Sequence, residues 1–121
     1  MFTITKQFSF AAAHQLAGLD PNHPCSRLHG HNYEVELELS SPTLNAVGFV
    51  VDYRDLDAFK RYVDDRFDHR NLNDAIDFNP TAENLAKMFF LVAKKMFGFP
   101  VVAARVKETQ KTCAEYFDDA E

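Results

Sequence analysis

Three of the five histidines stand at positions from which two neighbouring strands could bring them together. His29 and His31 flank a single glycine, and side chains two residues apart on a strand point to one face, roughly 7 Å apart. His14 ends an earlier stretch with strand character, which antiparallel pairing would place alongside. Three histidines with an open fourth position are typical of a catalytic zinc site, so the spacing predicts that these residues bind Zn²⁺. Taken alone, such a histidine pair is more often a surface or hydrogen-bonding feature.

Cys25 lies four residues before His29, in a loop that contains glycine, asparagine and two prolines. A thiol beside a dication or a protonated histidine is stabilised as the thiolate, which can accept a proton. The residues alone leave two other interpretations open. Cys25 could be the fourth ligand of a closed structural zinc site, or it could be an inert buried thiol.

Two further groups could take part in proton transfer or ligand binding. Asp68 and His69 are adjacent, and a carboxylate next to an imidazole fixes its tautomer and stabilises its protonated form. A histidine favoured by the dipole at a helix C-terminus explains this pair equally well. Glu108 ends a predicted strand, where a carboxylate could accept paired hydrogen bonds from a guanidine-like ligand edge. Beside Lys107, it could equally be a solvated surface residue.

Length and composition restrict the class of protein. The 121 residues fit one domain, residues 1–121. Lysine and arginine total 13 against 18 aspartates and glutamates, and the net charge of −5 argues against binding to nucleic acid or anionic membranes. The two cysteines lie far apart, and the first ten residues lack the features of a signal peptide. We therefore expect a cytoplasmic protein without a disulfide.

The pattern of apolar residues predicts the elements that must position these groups. Alternation of apolar and polar residues predicts strands over 2–10, 31–40, 49–53 and 101–109. Helical spacing predicts a first helix, capped by Asp52 or Asp55, that ends near Asp68, and a second that Asn79 caps and Gly98 ends. The residues after the last strand form a polar tail in this interpretation.

The predicted order is strand, strand, strand, helix, helix, strand. Such an order is typical of the α+β class, here a four-stranded antiparallel sheet with two helices on one face. If the other face of the sheet is apolar, it needs a partner. A chain this small is therefore expected to form a homo-oligomer.

Together these motifs resemble the 6-pyruvoyltetrahydropterin synthase superfamily, most closely its bacterial 6-carboxytetrahydropterin synthase branch in the queuosine precursor pathway. The resemblance covers nearly the whole chain, in family order, through FSFAAAH, CSRLHGHNY, GFVVDYRDL, FDHRNLND, NPTAENLA and VKET. The most specific motif is CxxxHGH. Its three-residue gap between Cys25 and His29 is similar to the carboxy branch, whereas the cysteine of animal pyruvoyl enzymes lies further from HGH.

The resemblance implies the tunnelling fold (T-fold), in which the sheets of several subunits join into a barrel. Such subunits form a hexamer or a smaller barrel-forming assembly, with active sites at subunit boundaries. The implied roles are His14, His29 and His31 as zinc ligands, Cys25 as catalytic base, Asp68 and His69 as proton-relay partners, Glu108 as pterin anchor and Thr81 as a pocket residue. Ala82 stands where some relatives place a second threonine.

The resemblance also implies a substrate, 7,8-dihydroneopterin triphosphate, and the products 6-carboxy-5,6,7,8-tetrahydropterin, acetaldehyde and triphosphate. Arg27, two residues from Cys25, could then meet the triphosphate, or it could cap the loop. Two rival hypotheses stay open. One is a sister enzyme, either a pyruvoyl-forming synthase or a pterin aldolase, and the other is a non-catalytic pterin-binding or zinc-stabilised protein.

Overall fold

A five-stranded sheet organises residues 1–118, which are the residues that the computed structural model describes. The strands are β1 (Phe2–His14), β2 (His29–Ser41), β3 (Arg70–Asn71), β4 (Val101–Thr109) and β5 (Thr112–Phe117). They lie in the order β3-β1-β2-β4-β5, with β3 parallel to β1 and the other neighbours antiparallel. The helices are α1 (Asp57–Arg66), α2 (Leu72–Ala75) and α3 (Ala82–Phe97). The predicted α+β class is confirmed.

The two longest strands, β1 and β2, are 13 residues each and pair antiparallel along their whole length. The pairing runs from Phe2 opposite Ser41 to His14 opposite His29. Because side chains alternate between the two faces of a sheet, every second residue of both strands points to the same side. That side is apolar along the middle of the strands and changes to histidine at one end.

Helices α1 and α3 cover this apolar face. Each has an apolar stripe, which includes the buried Phe59 of α1 and Phe89 of α3. The Phe10 ring of β1 stacks on Tyr33 at 4.8 Å and meets Phe89 edge-on at 6.0 Å. Burial of one such side chain stabilises the fold by about 1.5–3 kcal/mol. The aromatic core therefore holds the histidine-bearing ends of β1 and β2 in place.

The other face of the sheet is polar. Three glutamates of β2 alternate with its buried residues, and Arg105 of β4 forms ion pairs with two of them, Glu36 and Glu38. Arg105 also pairs with Glu115 of β5, at 3.0 Å. Where β2, β4 and β5 meet, this face is therefore held together by ion pairs.

The strand predicted over residues 49–53 is wrong. This segment forms bends that lead into a short 3₁₀ turn, Tyr53–Leu56. One reason why no strand forms lies at the start of the segment. The Asn45 side chain accepts hydrogen bonds from the backbone N–H groups of Val47, Gly48 and Phe49, each at 3.0 Å. Those donors are no longer free for a strand ladder. The valines that follow pack against the core as half-buried side chains.

The number of strands also differs from the predicted four. Residues read as a polar tail include β5, whose Tyr116 ring packs on Phe90 at 5.2 Å while Glu115 pairs with Arg105. A strand of mixed polar and small residues at a sheet edge gives a weak periodic signal. The last three residues of the predicted tail, 119–121, lie outside the described residues.

The first helical region begins with the 3₁₀ turn. Asp52 caps that turn by accepting the Arg54 N–H at 2.9 Å, as predicted for one of two candidate aspartates. The turn runs directly into α1, which ends at Arg66.

The start of the second helix differs from the prediction. Thr81, not Asn79, caps α3, and its hydroxyl accepts the Asn84 N–H at 3.1 Å. The Asn79 side chain is already engaged with the backbone of Ala17. Between the two predicted helices the chain also forms β3 and the single turn of α2. Within residues 1–118 we find no helix with the length and apolar character needed to cross a membrane.

Candidate active site

The strand register brings the three predicted histidines together at one end of the core. His14 lies directly opposite His29, and His31 lies on the same face two residues further along β2. One ring nitrogen from each lies within 4.8 Å of the others, and no other His, Cys, Asp or Glu of residues 1–118 joins this group. His14 is buried, and the other two are half-buried.

The hydrogen bonds of the cluster fix which nitrogens carry protons. His14 Nδ1 lies 2.8 Å from the carbonyl oxygen of Pro80, and His29 Nδ1 lies 2.7 Å from that of Arg27. A carbonyl only accepts, so both Nδ1 atoms must donate, and in the neutral rings both Nε2 atoms are bare acceptors. These two Nε2 atoms face each other at 3.0 Å. Two acceptors this close repel unless a positive centre lies between them.

A metal ion suits this donor set better than a proton does. Burial lowers the pKa of His14 and that of His31 below 6.5, although Glu108 opposes the shift in both rings. Neutral imidazole is the form that binds metals. Two nitrogens bound to one tetrahedral Zn²⁺ lie about 3.3 Å apart, close to the observed separation of the two Nε2 atoms. The carbonyl partners on Nδ1 are the outer contacts that orient metal-binding histidines. The residues therefore fit a divalent ion.

Cys25 lies in a turn that contacts the segment after His14, and it is not one of the close ligand atoms of the cluster. It is a half-buried free thiol in the 3₁₀ turn Pro24–Ser26, which His23 caps by accepting the Cys25 N–H at 3.0 Å. The turn folds back on the segment after His14, where the Leu16 N–H donates to the Cys25 carbonyl oxygen at 2.9 Å. Cys25 is absent from the group of close ligand atoms. This geometry argues against a closed site with three histidines and the cysteine.

Glu108 and Tyr33 complete the surroundings of His14. One carboxylate oxygen of Glu108, Oε2, lies 3.6 Å from His14 Nε2. The Tyr33 hydroxyl lies 3.1 Å from His14 Nδ1, and burial, followed by the charge of Glu108, raises the pKa of this phenol. The phenol therefore stays protonated. The negative charge of Glu108 lies where a cation held by the histidines would meet it.

Asp68 and His69 dock on the outer edge of β1. The backbone of Ala11 binds both, because its N–H donates to Asp68 Oδ1 at 2.9 Å and its carbonyl accepts the His69 N–H at 2.6 Å. Asp68 Oδ2 lies 3.0 Å from His69 Nδ1. The Ala11 N–H, followed by the His69 contact, lowers the pKa of Asp68 below 3.8. His69 has a φ of +60°, uncommon without glycine, and an 82% exposed side chain.

His31 lies between two clefts. One, of about 570 Å³, is lined by His31 and His69 and by residues of β1 and β2 between them. The other, of about 340 Å³, is lined by His31, Glu108 and residues at the end of β4. The histidine cluster is thus adjacent to the aspartate–histidine pair on one side and to the carboxylate on the other.

Comparison with known proteins identifies the family of this chain. The family model described as 6-pyruvoyl tetrahydropterin synthase matches residues 3–119. The chain belongs to this family. A family structure, 6-pyruvoyl tetrahydropterin synthase of Caenorhabditis elegans, superposes with a TM-score of 0.86 at 28% identity, covering 98% of this chain and 96% of that one. The expected tunnelling fold is confirmed for the single chain.

Family relatives of similar length share much of the sequence. The 6-carboxy-5,6,7,8-tetrahydropterin synthase of Synechocystis sp. is 36% identical over 126 residues, which cover 97% of this chain and 94% of the relative. The protein of the same name from Haemophilus influenzae is 29% identical over 141 residues, covering 96% of this chain and 99% of the relative. The match therefore extends over essentially whole chains on both sides.

Two remaining predicted residues of this family member occupy positions near the site. Thr81 is half-buried and caps α3, next to the carbonyl of Pro80 that binds His14. Arg27 is exposed, and its carbonyl orients His29. Sequence analysis missed the parts played by Tyr33 and Pro80. Tyr33 falls on the same alternation as His29 and His31, which could have indicated its contact, whereas a backbone carbonyl leaves no signal in residue type.

Proposed function

We propose that the chain is a zinc-dependent pterin lyase that converts 7,8-dihydroneopterin triphosphate and one molecule of water to 6-carboxy-5,6,7,8-tetrahydropterin, acetaldehyde and triphosphate. The observation that carries the proposal is the pair of bare Nε2 atoms of His14 and His29, which face each other beside His31. This donor set suits a divalent cation, and three histidines with an open fourth position are typical of catalytic Zn²⁺. The reaction supplies a precursor of queuosine.

Two observations support the carboxy product over the pyruvoyl product. The first is the three-residue gap between Cys25 and His29, which is similar to that of the carboxy branch. The second is that the relatives from Synechocystis sp. and Haemophilus influenzae are both named 6-carboxy-5,6,7,8-tetrahydropterin synthase.

The substrate is bound between the histidines and Glu108. His14, His29 and His31 would hold the divalent ion, which would supply Lewis-acid stabilisation of negative charge on substrate oxygens. The Glu108 carboxylate anchors the pterin by accepting paired hydrogen bonds from its 2-amino group and N3–H. Its position in the cleft beside His31 supports this role. Thr81 contributes to the pocket, and the exposed Arg27 meets the triphosphate.

Proton transfer is assigned to Cys25, Asp68 and His69. The Cys25 thiolate removes a carbon-bound proton from the substrate. His69 returns a proton, and Asp68 holds its imidazole in one tautomer through the contact to Nδ1. The Ala11 N–H that lowers the pKa of Asp68 keeps this carboxylate ionised, so that it can stabilise a protonated His69.

We also propose that copies of the chain assemble into a barrel. In residues 1–118, β3 pairs with β1 only at Ala12 and Ala13, so most of the outer edge of β1 has no strand partner. The outer edge of β5 has none either. Such edges favour pairing with another chain.

The products of the reaction test the proposal. Zinc-loaded protein is incubated with 7,8-dihydroneopterin triphosphate, and the products are identified by mass spectrometry. We expect acetaldehyde and the 6-carboxy pterin in equal amounts. A pyruvoyl pterin without acetaldehyde would identify the synthase of the animal type, and a 6-hydroxymethyl pterin would identify an aldolase.

The variant Cys25→Ala separates catalysis from metal binding. It should abolish turnover and retain one zinc per chain, measured by plasma mass spectrometry, because the thiol lies outside the ligand group. Loss of zinc in this variant would contradict the assignment of Cys25 as a base and indicate a structural site.

A further inference from the structure

The side chains of two asparagines, Asn73 and Asn79, form hydrogen bonds with the backbone of the segment that follows His14. The Gln15 N–H donates to Asn73 Oδ1 at 2.8 Å, and Asn73 Nδ2 donates to the Gln15 carbonyl oxygen at 2.9 Å. Asn79 binds Ala17 in the same way, with Oδ1 accepting at 2.9 Å and Nδ2 donating at 3.0 Å. Each side-chain amide thus pairs with both backbone groups of one residue, as a neighbouring strand would.

Leu16, which lies between the two residues that the asparagines bind, contacts the cysteine turn, the 3₁₀ turn Pro24–Ser26 that contains Cys25. Alternate residues of an extended segment direct their backbone groups to opposite sides. Leu16 therefore faces away from the asparagines, and its N–H donates to the Cys25 carbonyl oxygen at 2.9 Å. The Gln15 side chain adds a second bond to the turn, because its Nε2 donates to the Ser26 carbonyl oxygen at 2.8 Å.

Both asparagines are themselves anchored in the protein. Asn73 lies in α2, where its N–H donates to Asn71 Oδ1 at 3.0 Å. The carbonyl oxygen of Asn79 accepts from Asn84 Nδ2, and the next residue, Pro80, supplies the carbonyl that orients His14. The hydrogen bonds of Asn79 therefore connect the segment that binds the cysteine turn to Pro80, whose carbonyl orients His14.

We propose that Asn73 and Asn79 are positioning residues for Cys25, an inference that rests on the proposed function of this thiol. The asparagines set the path of Gln15–Ala17, and this segment sets the position of the turn that contains Cys25. The amide is essential because it offers a donor and an acceptor together, whereas aspartate lacks the donor and alanine lacks both. A displacement of about 1 Å at a reacting group can cost about a hundredfold in rate.

The test measures the position of Cys25 without requiring turnover. In a Cys113→Ser background, so that Cys25 is the single thiol, the variants Asn73→Ala and Asn79→Ala are alkylated with iodoacetamide at about pH 9.5, where thiols are ionised. We expect the half-buried thiol to react at least about fivefold faster in both variants, with one zinc per chain retained. We expect kcat to fall about 10- to 100-fold and KM to change less than about threefold.

Asn45→Ala is the matched control. The Asn45 side chain also binds backbone N–H groups of a surface loop, but that loop lies in the segment before α1. This variant should keep the alkylation rate and kcat of the parent. If the alanine variants fail to fold, judged by near-ultraviolet circular dichroism, Asn73→Asp and Asn79→Asp replace them with the same expected directions, because they keep the shape and the acceptor.

Several results would overturn the inference. An unchanged alkylation rate and an unchanged kcat in folded variants would show that the asparagines do not position the thiol. Loss of zinc together with faster alkylation would show a general collapse of the site. If Cys25→Ala keeps its turnover, the catalytic role of Cys25 fails, but the alkylation rates still report whether the asparagines hold the turn.

Discussion

The sheet carries a polar cluster on each face, and the two clusters differ in how their hydrogen-bonding groups are matched. On the open face, the Arg105 guanidinium donates to Glu36, Glu38 and Glu115, so each of its three nitrogens meets a carboxylate oxygen. On the helix-covered face, two bare nitrogens of His14 and His29 face each other at 3.0 Å. In the first cluster every guanidinium nitrogen meets an acceptor, whereas in the second two acceptors meet each other, an arrangement that suits a cation.

Strand pairing explains the first cluster without a ligand. Glu36 and Glu115 lie directly opposite Arg105 on its two neighbouring strands, and Glu38 lies on the same face two residues from Glu36. Opposite charges in such positions stabilise a sheet. No comparable match exists between His14 and His29, which also lie opposite one another, because their Nε2 atoms are both acceptors. Matching donors with acceptors therefore distinguishes a self-sufficient polar cluster from one that is suited to a cation.

The largest expected effect comes from removing a histidine of the cluster. His29→Ala leaves two imidazoles, and metal sites with a missing ligand bind far more weakly. We expect zinc to fall below detection by plasma mass spectrometry and turnover to fall by at least about a thousandfold, since the Lewis acid is lost. Zinc-bound, active His29→Ala protein would contradict the site.

Arg105→Gln provides the contrast. The variant should keep its zinc and its kcat, while the free energy of unfolding falls by about 1–3 kcal/mol because charged hydrogen bonds are lost. Urea unfolding of the zinc-loaded protein measures this. If Arg105→Gln lost zinc, the two faces of the sheet would not be independent, and the comparison would fail.

A smaller effect is expected from the aspartate–histidine pair at the edge of β1. His69→Gln removes a proposed proton donor while leaving the buried cluster intact. Loss of a general acid or base typically lowers kcat by about 10²–10⁴-fold, and zinc should stay bound. Steady-state kinetics and metal analysis measure both. Asp65→Asn, at an exposed aspartate of α1, is the control, and equal losses in both variants would indicate a non-specific effect.

Strict alternation made the strands that carry the site predictable. Residues from Tyr33 to Leu39 switch between buried apolar and outward polar positions without a break, so the face of His29 and His31 followed from the sequence. The segment at 49–53 is also rich in strand-forming residues, but the Asn45 side chain binds the backbone N–H groups of Val47, Gly48 and Phe49 at its start. Local propensity cannot anticipate such tertiary or loop contacts.

Two features of the site could not be predicted from the sequence. They are the hydrogen bonds of the asparagines to the segment that binds the cysteine turn, and the orientation of the histidine rings. Both depend on backbone groups, namely the carbonyls of Arg27 and Pro80 and the peptide groups of Gln15 and Ala17. Every residue type carries these groups, so no pattern marks the ones that are used. Asn73 and Asn79 both come from the connection between α1 and α3, for which the helical spacing predicts no regular element.

The smallest expected effect is a pH dependence of the metal-free protein, which should come from the histidine face alone. Burial lowers the pKa of His14 and of His31 below 6.5, so the unfolded chain binds more protons than the folded chain does. The free energy of unfolding therefore rises with pH. The contribution of the two histidines to it is fully present above pH 6.5 and is lost as pH falls through their lowered pKa values. Hydrogen bonding, chiefly to Glu38, raises the pKa of Arg105, which stays charged throughout.

Urea unfolding of the protein after chelation measures this dependence. Between pH 7 and pH 5, the free energy of unfolding should fall by at most about 1.4 kcal/mol per pH unit for each histidine. His14→Gln should reduce the slope of the free energy of unfolding against pH, whereas Arg105→Gln should lower this free energy equally at both pH values. An unchanged slope in His14→Gln would mean that the buried His14 ring does not resist protonation.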